Sequence, residues 1–137
     1  MRWLLASLFA SLIPLASSTL KNCGDGTSRF LLLDQGFSPD PPAVNDNTTL
    51  WFYYQVPDGL SINDGTADYK ITLNGIPFPT STDPLCTQVT CPLISGLYNL
   101  SSSSIWQGGI SGKVVSRISW YDMEKNLLLC SELTVRV

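Results

Sequence analysis

Apolar and polar residues alternate along most of this chain, and the alternation marks out strands. From Thr48 to Val56 every second residue is apolar, so Leu50, Phe52, Tyr54 and Val56 share one face of a predicted strand. Between Ala67 and Leu73, Tyr69, Ile71 and Leu73 fall on one side and Asp68, Lys70 and Thr72 on the other. The stretch from Lys113 to Trp120 places Val114, Ile118 and Trp120 together, and the stretch from Leu127 to Val137 sets Leu127, Leu129, Leu133, Val135 and Val137 against Glu132, Thr134 and Arg136. Shorter apolar runs at Arg29–Leu33 and Gly96–Leu100 predict two further strands, and no segment predicts a helix.

Turn residues punctuate these runs. Ser38-Pro39-Asp40-Pro41-Pro42 and Pro57-Asp58-Gly59 end strands, Asn74-Gly75 predicts a tight turn, and Met123–Asn126 reads as a hairpin turn. Two prolines in Ile76-Pro77-Phe78-Pro79 exclude a central strand, so that segment is an edge or a loop. Many short strands at this spacing predict an all-β fold, a two-sheet antiparallel β-sandwich. There is no internal repeat and no domain linker.

The N-terminus stands apart. Arg2 precedes an apolar run from Leu4 to Ala16, and Ala16-Ser17-Ser18 supplies small residues for cleavage. The run is too short to span a bilayer and fits a signal peptide over residues 1–18, leaving 19–137 as one domain that is secreted or lumenal. Removing Arg2 from the eight basic residues leaves seven against eleven acidic ones, a formal net charge of −4 for the expected mature chain. The seven basic residues are scattered, which argues against a nucleic-acid partner.

Four cysteines, Cys23, Cys86, Cys91 and Cys130, in a secreted chain read as two disulfides. Three pairings are possible; Cys86–Cys91, closing a short loop, and Cys23–Cys130, joining the domain's start to its last strand, are favoured. With no histidine in the chain, a Ser–His or Cys–His nucleophilic pair is impossible, and a zinc site is disfavoured. Acidic residues occur mainly in turn contexts such as Asp25-Gly26, Asp58-Gly59 and Asp64-Gly65, so the chain is expected not to be an enzyme and to need no cofactor or metal. Asn47-Thr48-Thr49 and Asn99-Leu100-Ser101 are glycosylation sequons at Asn47 and Asn99.

An ordered set of motifs adds a specific signal: Ile76-Pro77-Phe78-Pro79, then Cys86-Thr87-Gln88-Val89-Thr90-Cys91-Pro92-Leu93, then Gly96-Leu97-Tyr98, then Ile118-Ser119-Trp120-Tyr121-Asp122, then Cys130. With Asn22-Cys23-Gly24 and Phe37-Ser38-Pro39-Asp40-Pro41 ahead of it, the set resembles the ML lipid-recognition family over nearly all of residues 22–137. That family includes the sterol carrier lost in one form of Niemann–Pick type C disease, fungal phosphatidylglycerol/phosphatidylinositol transfer proteins and the ganglioside activator. This chain lacks the cysteines of the sterol carrier's third disulfide, which weakens any transfer of sterol specificity.

The resemblance implies an immunoglobulin-like sandwich whose sheets splay around an apolar cavity, and its cysteine spacing agrees with the two favoured pairings. It implies a lipid-binding and transfer protein that encloses one sterol or phospholipid, with transient membrane contact; the alternative is a lipid-presenting or recognition module for a receptor or acceptor protein. Phe78 stands eight residues before Cys86, at the spacing of the family's cavity-mouth Phe, and Trp120 matches its cavity-side Trp. Ile105, Trp106 and Ile110 fall in the loop that borders the mouth. Tyr54, Tyr69, Ile71, Leu73, Val114, Ile118 and Leu133 are wall candidates by alternation, although the same faces would serve as ordinary sandwich core. A secreted location or a lysosomal, endosomal or vacuolar lumen follows.

Overall fold

The alternating segments become the central strands of two antiparallel sheets. The structure, a computed structural model, describes residues 17–24, 26–40, 45–105 and 111–136. Within them lie β1 (Ser17–Asn22), β2 (Leu31–Ser38), β3 (Asn47–Val56), β4 (Gly65–Leu73), β5 (Ile76–Pro77), β6 (Ser81–Pro84), α1 (Leu85–Gln88), β7 (Gly96–Ile105), β8 (Lys113–Asp122) and β9 (Leu127–Arg136). One sheet runs β1-β9-β8-β4-β5, with β6 also against β4; the other runs β2-β3-β7. Residues 1–16, where the signal peptide is expected, lie outside the described residues, and β1 begins at Ser17, two residues before the expected start of the domain.

Register fixes which side chains face inward. In the smaller sheet Phe52 stands opposite Gln35 and Leu100, Leu50 opposite Phe37 and Ser102, and Thr48 opposite Ser104. In the larger sheet Tyr69, Ile118 and Ser131 form one rung, Ile71, Ser116 and Leu133 the next, and Leu73, Val114 and Val135 the one beyond. The opposite face of that sheet is wet: Glu132 there accepts from Arg117 at 2.7 Å and pairs with Lys21 at 3.5 Å. Burial alone would raise the Glu132 carboxyl, but the Arg117 hydrogen bond and charge, with Lys21, hold it below its usual value.

One end of the sandwich is filled by aromatic rings. Tyr54 stacks on Phe30 at 5.7 Å and on Tyr98 at 5.4 Å, while Trp120 meets Tyr54 and Phe52 edge-on at 5.3 and 6.4 Å. Val56, Ile62, Leu85, Leu93, Leu128 and Leu129 complete this cluster. A two-residue bridge between Ile62 and Leu93 ties the loops over it, and the Cys86–Cys91 disulfide closes the loop after α1. The Cys23–Cys130 disulfide links the residue after β1 to β9, so both favoured pairings are present.

β1 and β6 are strands that no alternation predicts, and three further local features differ from the sequence expectation. α1 is one turn, too short to show a helical period, yet it delivers Leu85 fully into the core. β7 continues through Ser101–Ile105, where no apolar alternation signals a strand, because β3 offers its edge in unbroken register from Val56–Gly96 to Asn47–Ile105. Asp64-Gly65 is not a turn. Gly65 opens β4 where a Cβ would come 2.2 Å from the Tyr121 carbonyl oxygen, so the glycine permits close approach rather than a positive φ.

Candidate functional site

The two edges of the sandwich are unlike. On the β1/β2 side, Ser131 Oγ donates to Gln35 Oε1 at 2.6 Å, and the Ser18 hydroxyl donates to the Asp40 carboxylate, so the sheets are stitched together. On the β4/β7 side lies a cleft of about 140 Å³. Phe52, Leu100, Ser101 and Ser102 line it from the smaller sheet, Tyr69, Ile118 and Trp120 from the larger, and Thr87 and Gln88 of α1 close one end. Two wider, shallow grooves lie beside Arg29, and Arg29 there is engaged by Asp122 at 3.1 Å.

One lining ring, Tyr69, and one ring of the core behind it, Tyr54, are held neutral at ordinary pH. Burial raises the Tyr69 hydroxyl, with Asp83 adding to the effect. Tyr54, behind Trp120, is pushed up to about 12 by burial and by Tyr98. The cleft is therefore an uncharged surface between the sheets, walled by Phe52, Tyr69, Leu100, Ile118 and Trp120 and edged by the neutral polar side chains of Thr87, Gln88, Ser101 and Ser102.

The sequence-predicted site residues divide into four groups. Tyr69, Ile118 and Trp120 come together in the cleft wall. Tyr54 is central core rather than cleft lining, sealed behind Trp120. Ile71, Leu73, Val114 and Leu133 continue the same inner face beyond the cleft; Val114 and Leu133 are buried, but Ile71 is 44% exposed. An inner-face isoleucine that exposed shows that the sandwich is open along β4.

Phe78 stands at that opening. Its backbone N–H donates to the Ile71 carbonyl at 2.9 Å, and its side chain is 48% exposed beside the exposed Ile76. Ile105, 65% exposed, belongs to the outward face of β7 by register, since it pairs with Asn47 while Thr48 and Leu50 face inward. Trp106 and Ile110 lie outside the described residues. The sequence reading missed Phe52, Leu100, Ser101, Ser102, Thr87 and Gln88 as lining residues; Phe52 was legible as an inward position, whereas α1 and the serine run carry no pattern that points inward.

Two antiparallel sheets, packed face to face, stitched at one edge and parted over an apolar cleft at the other, define an immunoglobulin-like β-sandwich with an internal site. The chain belongs to the ML domain family, whose model matches residues 17–137. Among solved structures, it is similar to a Niemann-Pick type C2 protein from the Japanese carpenter ant: the TM-score is 0.65 at 13% identity, over 85% of this chain and 96% of that one. It is also similar to chicken MD-1 complexed with lipid IVa, with a TM-score of 0.61 at 10% identity, over 90% of this chain and 91% of that one. No curated protein matches the sequence.

Proposed function

We propose that this protein encloses one lipid between its sheets, entering through the β4/β7 seam, and carries it without any bond chemistry. The observation that supports this reading best is the uncharged cleft reached from both sheets, with Ile71 and Phe78 exposed at its rim. Membership of the ML family and the likeness to a structure holding lipid IVa favour the same reading. Each Å² of apolar lipid surface removed from water contributes roughly 25 cal/mol, so an alkyl chain or sterol ring system is held by enclosure alone. Pockets for ligands of that size run to roughly 300–1,000 Å³. A cleft of about 140 Å³ admits only part of one. Loading therefore involves outward movement of β7, an edge strand hydrogen-bonded only to β3 among the described strands.

Two disulfides support a secreted or lumenal setting, and exposed Asn47 and Asn99 would carry the glycans. The test is organic extraction and native mass spectrometry of purified protein, followed by titration with a fluorescent sterol and a fluorescent phospholipid. One lipid per chain and saturable binding are expected; a folded sample that binds neither overturns the proposal. Exchange of labelled lipid between vesicles then separates a transfer protein, which accelerates it, from a module that retains its lipid for display to a receptor.

A further inference from the structure

The outer face of the larger sheet gathers basic residues that lie far apart in the sequence. On one rung stand Lys21, Glu132, Arg117 and Lys70, one from each of β1, β9, β8 and β4. Four residues along the strands, Arg136 of β9 pairs with Lys113 of β8 on the same face. Between the two rungs runs a row of Thr19, Thr134, Val115 and Thr72. The charged rungs are therefore about 13 Å apart, and the longer one is about 14 Å wide. Lys21, Lys70, Lys113, Arg117 and Arg136 are five of the seven basic residues expected in the mature chain, so the scatter seen along the sequence does not survive folding.

This face is strongly positive although the chain is not. Glu132 is the one acidic residue on these rungs, and Arg117 and Lys21 already share it. Lys70, Lys113 and Arg136 are exposed and have no ion-pair partner among the described residues. Five positive charges less one negative leave a local +4, against −4 for the expected mature chain. The next acidic position on the face, Asp68, lies beside Lys125 at the far end. The outer face of the smaller sheet is the reverse. Its outward positions carry Asp34 and no Lys or Arg, and they include both sequon asparagines, Asn47 and Asn99. Glycans at those positions would leave the basic face uncovered.

Charge complementarity calls for a polyanion, and the other side chains of the face narrow its chemistry. No aromatic or long apolar side chain stands on the two rungs or in the row between them, so nothing there stacks on a base or inserts into a bilayer. The Lys and Arg donors and the threonine hydroxyls suit sulfate groups and sugar hydroxyls, which can be bound at a flat, wet surface. We infer that this face docks a sulfated polysaccharide laid across β1, β9, β8 and β4. The contact is on a different surface from the β4/β7 seam, so it goes beyond the lipid-carrier reading and does not depend on it.

The test is binding of the purified protein to heparin, a sulfated polysaccharide, at neutral pH over a range of salt concentrations. Wild type should bind at low salt even though its formal net charge is negative, so that binding reports a local face rather than net charge. A triple variant, Lys70→Gln with Lys113→Gln and Arg136→Gln, should lose roughly tenfold or more in affinity, and its affinity should fall less steeply with salt, because fewer ions are exchanged on binding. The charge-keeping triple, Lys70→Arg with Lys113→Arg and Arg136→Lys, should bind as wild type does. On wild type, heparin should also shield Lys70 and Lys113 from acetylation, a reading that needs no variant to fold. Absence of heparin binding by wild type, equal binding by the glutamine triple, loss of binding in the charge-keeping triple, or unshielded Lys70 and Lys113 each overturns the inference. Tighter binding to phosphatidylserine-containing vesicles than to heparin, lost in the glutamine triple, would assign the face to a bilayer and overturn it too.

Discussion

Asp122 holds the β8–β9 hairpin by accepting four hydrogen bonds. The backbone N–H groups of Glu124 and Asn126 reach Oδ1 at 2.9 and 2.8 Å, and Asn126 Nδ2 and Arg29 Nη1 reach Oδ2, each at 3.1 Å. Burial alone would raise this carboxyl, but those donors together hold it below the usual aspartate value. A carboxylate depressed on folding adds stability that is fully present above its unfolded pKa, about 3.9, and is lost as the pH falls through the folded value. Asp122→Asn should therefore lower the urea midpoint at pH 7 and flatten its decline below pH 4; an equally steep acid limb in the variant would assign that limb elsewhere. Phe78 belongs to the other kind of residue, half exposed at a rim and held between two prolines. Phe78→Ala should weaken lipid binding several-fold while the thermal midpoint moves little, because the roughly 3–5 kcal/mol penalty of truncating a buried Phe does not apply. A collapsed midpoint with normal binding by the folded fraction would make Phe78 core. Its exposed position was legible from Pro77 and Pro79, which bar it from a central strand.

At the scale of elements, the β4–β5 hairpin shows how local chemistry and tertiary contact combine. Asn74 and Gly75 both have positive φ, 50° and 83°, the conformation of a two-residue turn matched to strand twist. Asn74 also reaches out of the turn: its Oδ1 accepts from the Lys113 N–H at 2.9 Å, and its Nδ2 donates to the Ser111 carbonyl at 3.3 Å. Asn74→Ala loses both bonds and forces an alanine into the left-handed region, together costing about 1–3 kcal/mol. Its melting temperature should fall accordingly, and more than that of Asn74→Asp, which tolerates the backbone and keeps the Oδ1 acceptor; equal losses would show that the Oδ1 bond and the backbone strain contribute nothing. The turn itself could be read from Asn-Gly, and the long strands from their alternation. The serine half of β7 and the single turn of α1 could not. Neither has an apolar period, and each exists because a neighbour offers β3's open edge or a hole in the core for Leu85.

At the scale of the whole molecule, the two disulfides constrain very different loops. Cys23–Cys130 spans 107 residues and Cys86–Cys91 only 5. In the chain-entropy model, cross-links of these lengths are worth about 4–5 and about 2 kcal/mol. Replacing Cys23 and Cys130 by alanine should therefore lower the denaturant midpoint far more than replacing Cys86 and Cys91, and reversal of that order would show that the short loop acts through native packing over the core. How the halves of the sandwich differ is also a property of this scale. The sequence by itself determined the long alternating strands β3, β4, β8 and β9, the turns at Asn74-Gly75 and Met123–Asn126, and the absence of a histidine-dependent chemistry, because each depends on residues adjacent in the chain or on composition alone. Alternation says which residues point together but not whether the opposing face touches them. Only the tertiary structure decided that Tyr54 is sealed core while Tyr69 and Ile118 line a cleft, since burial there is set by Trp120 and by the spacing of two sheets whose strands are far apart in sequence.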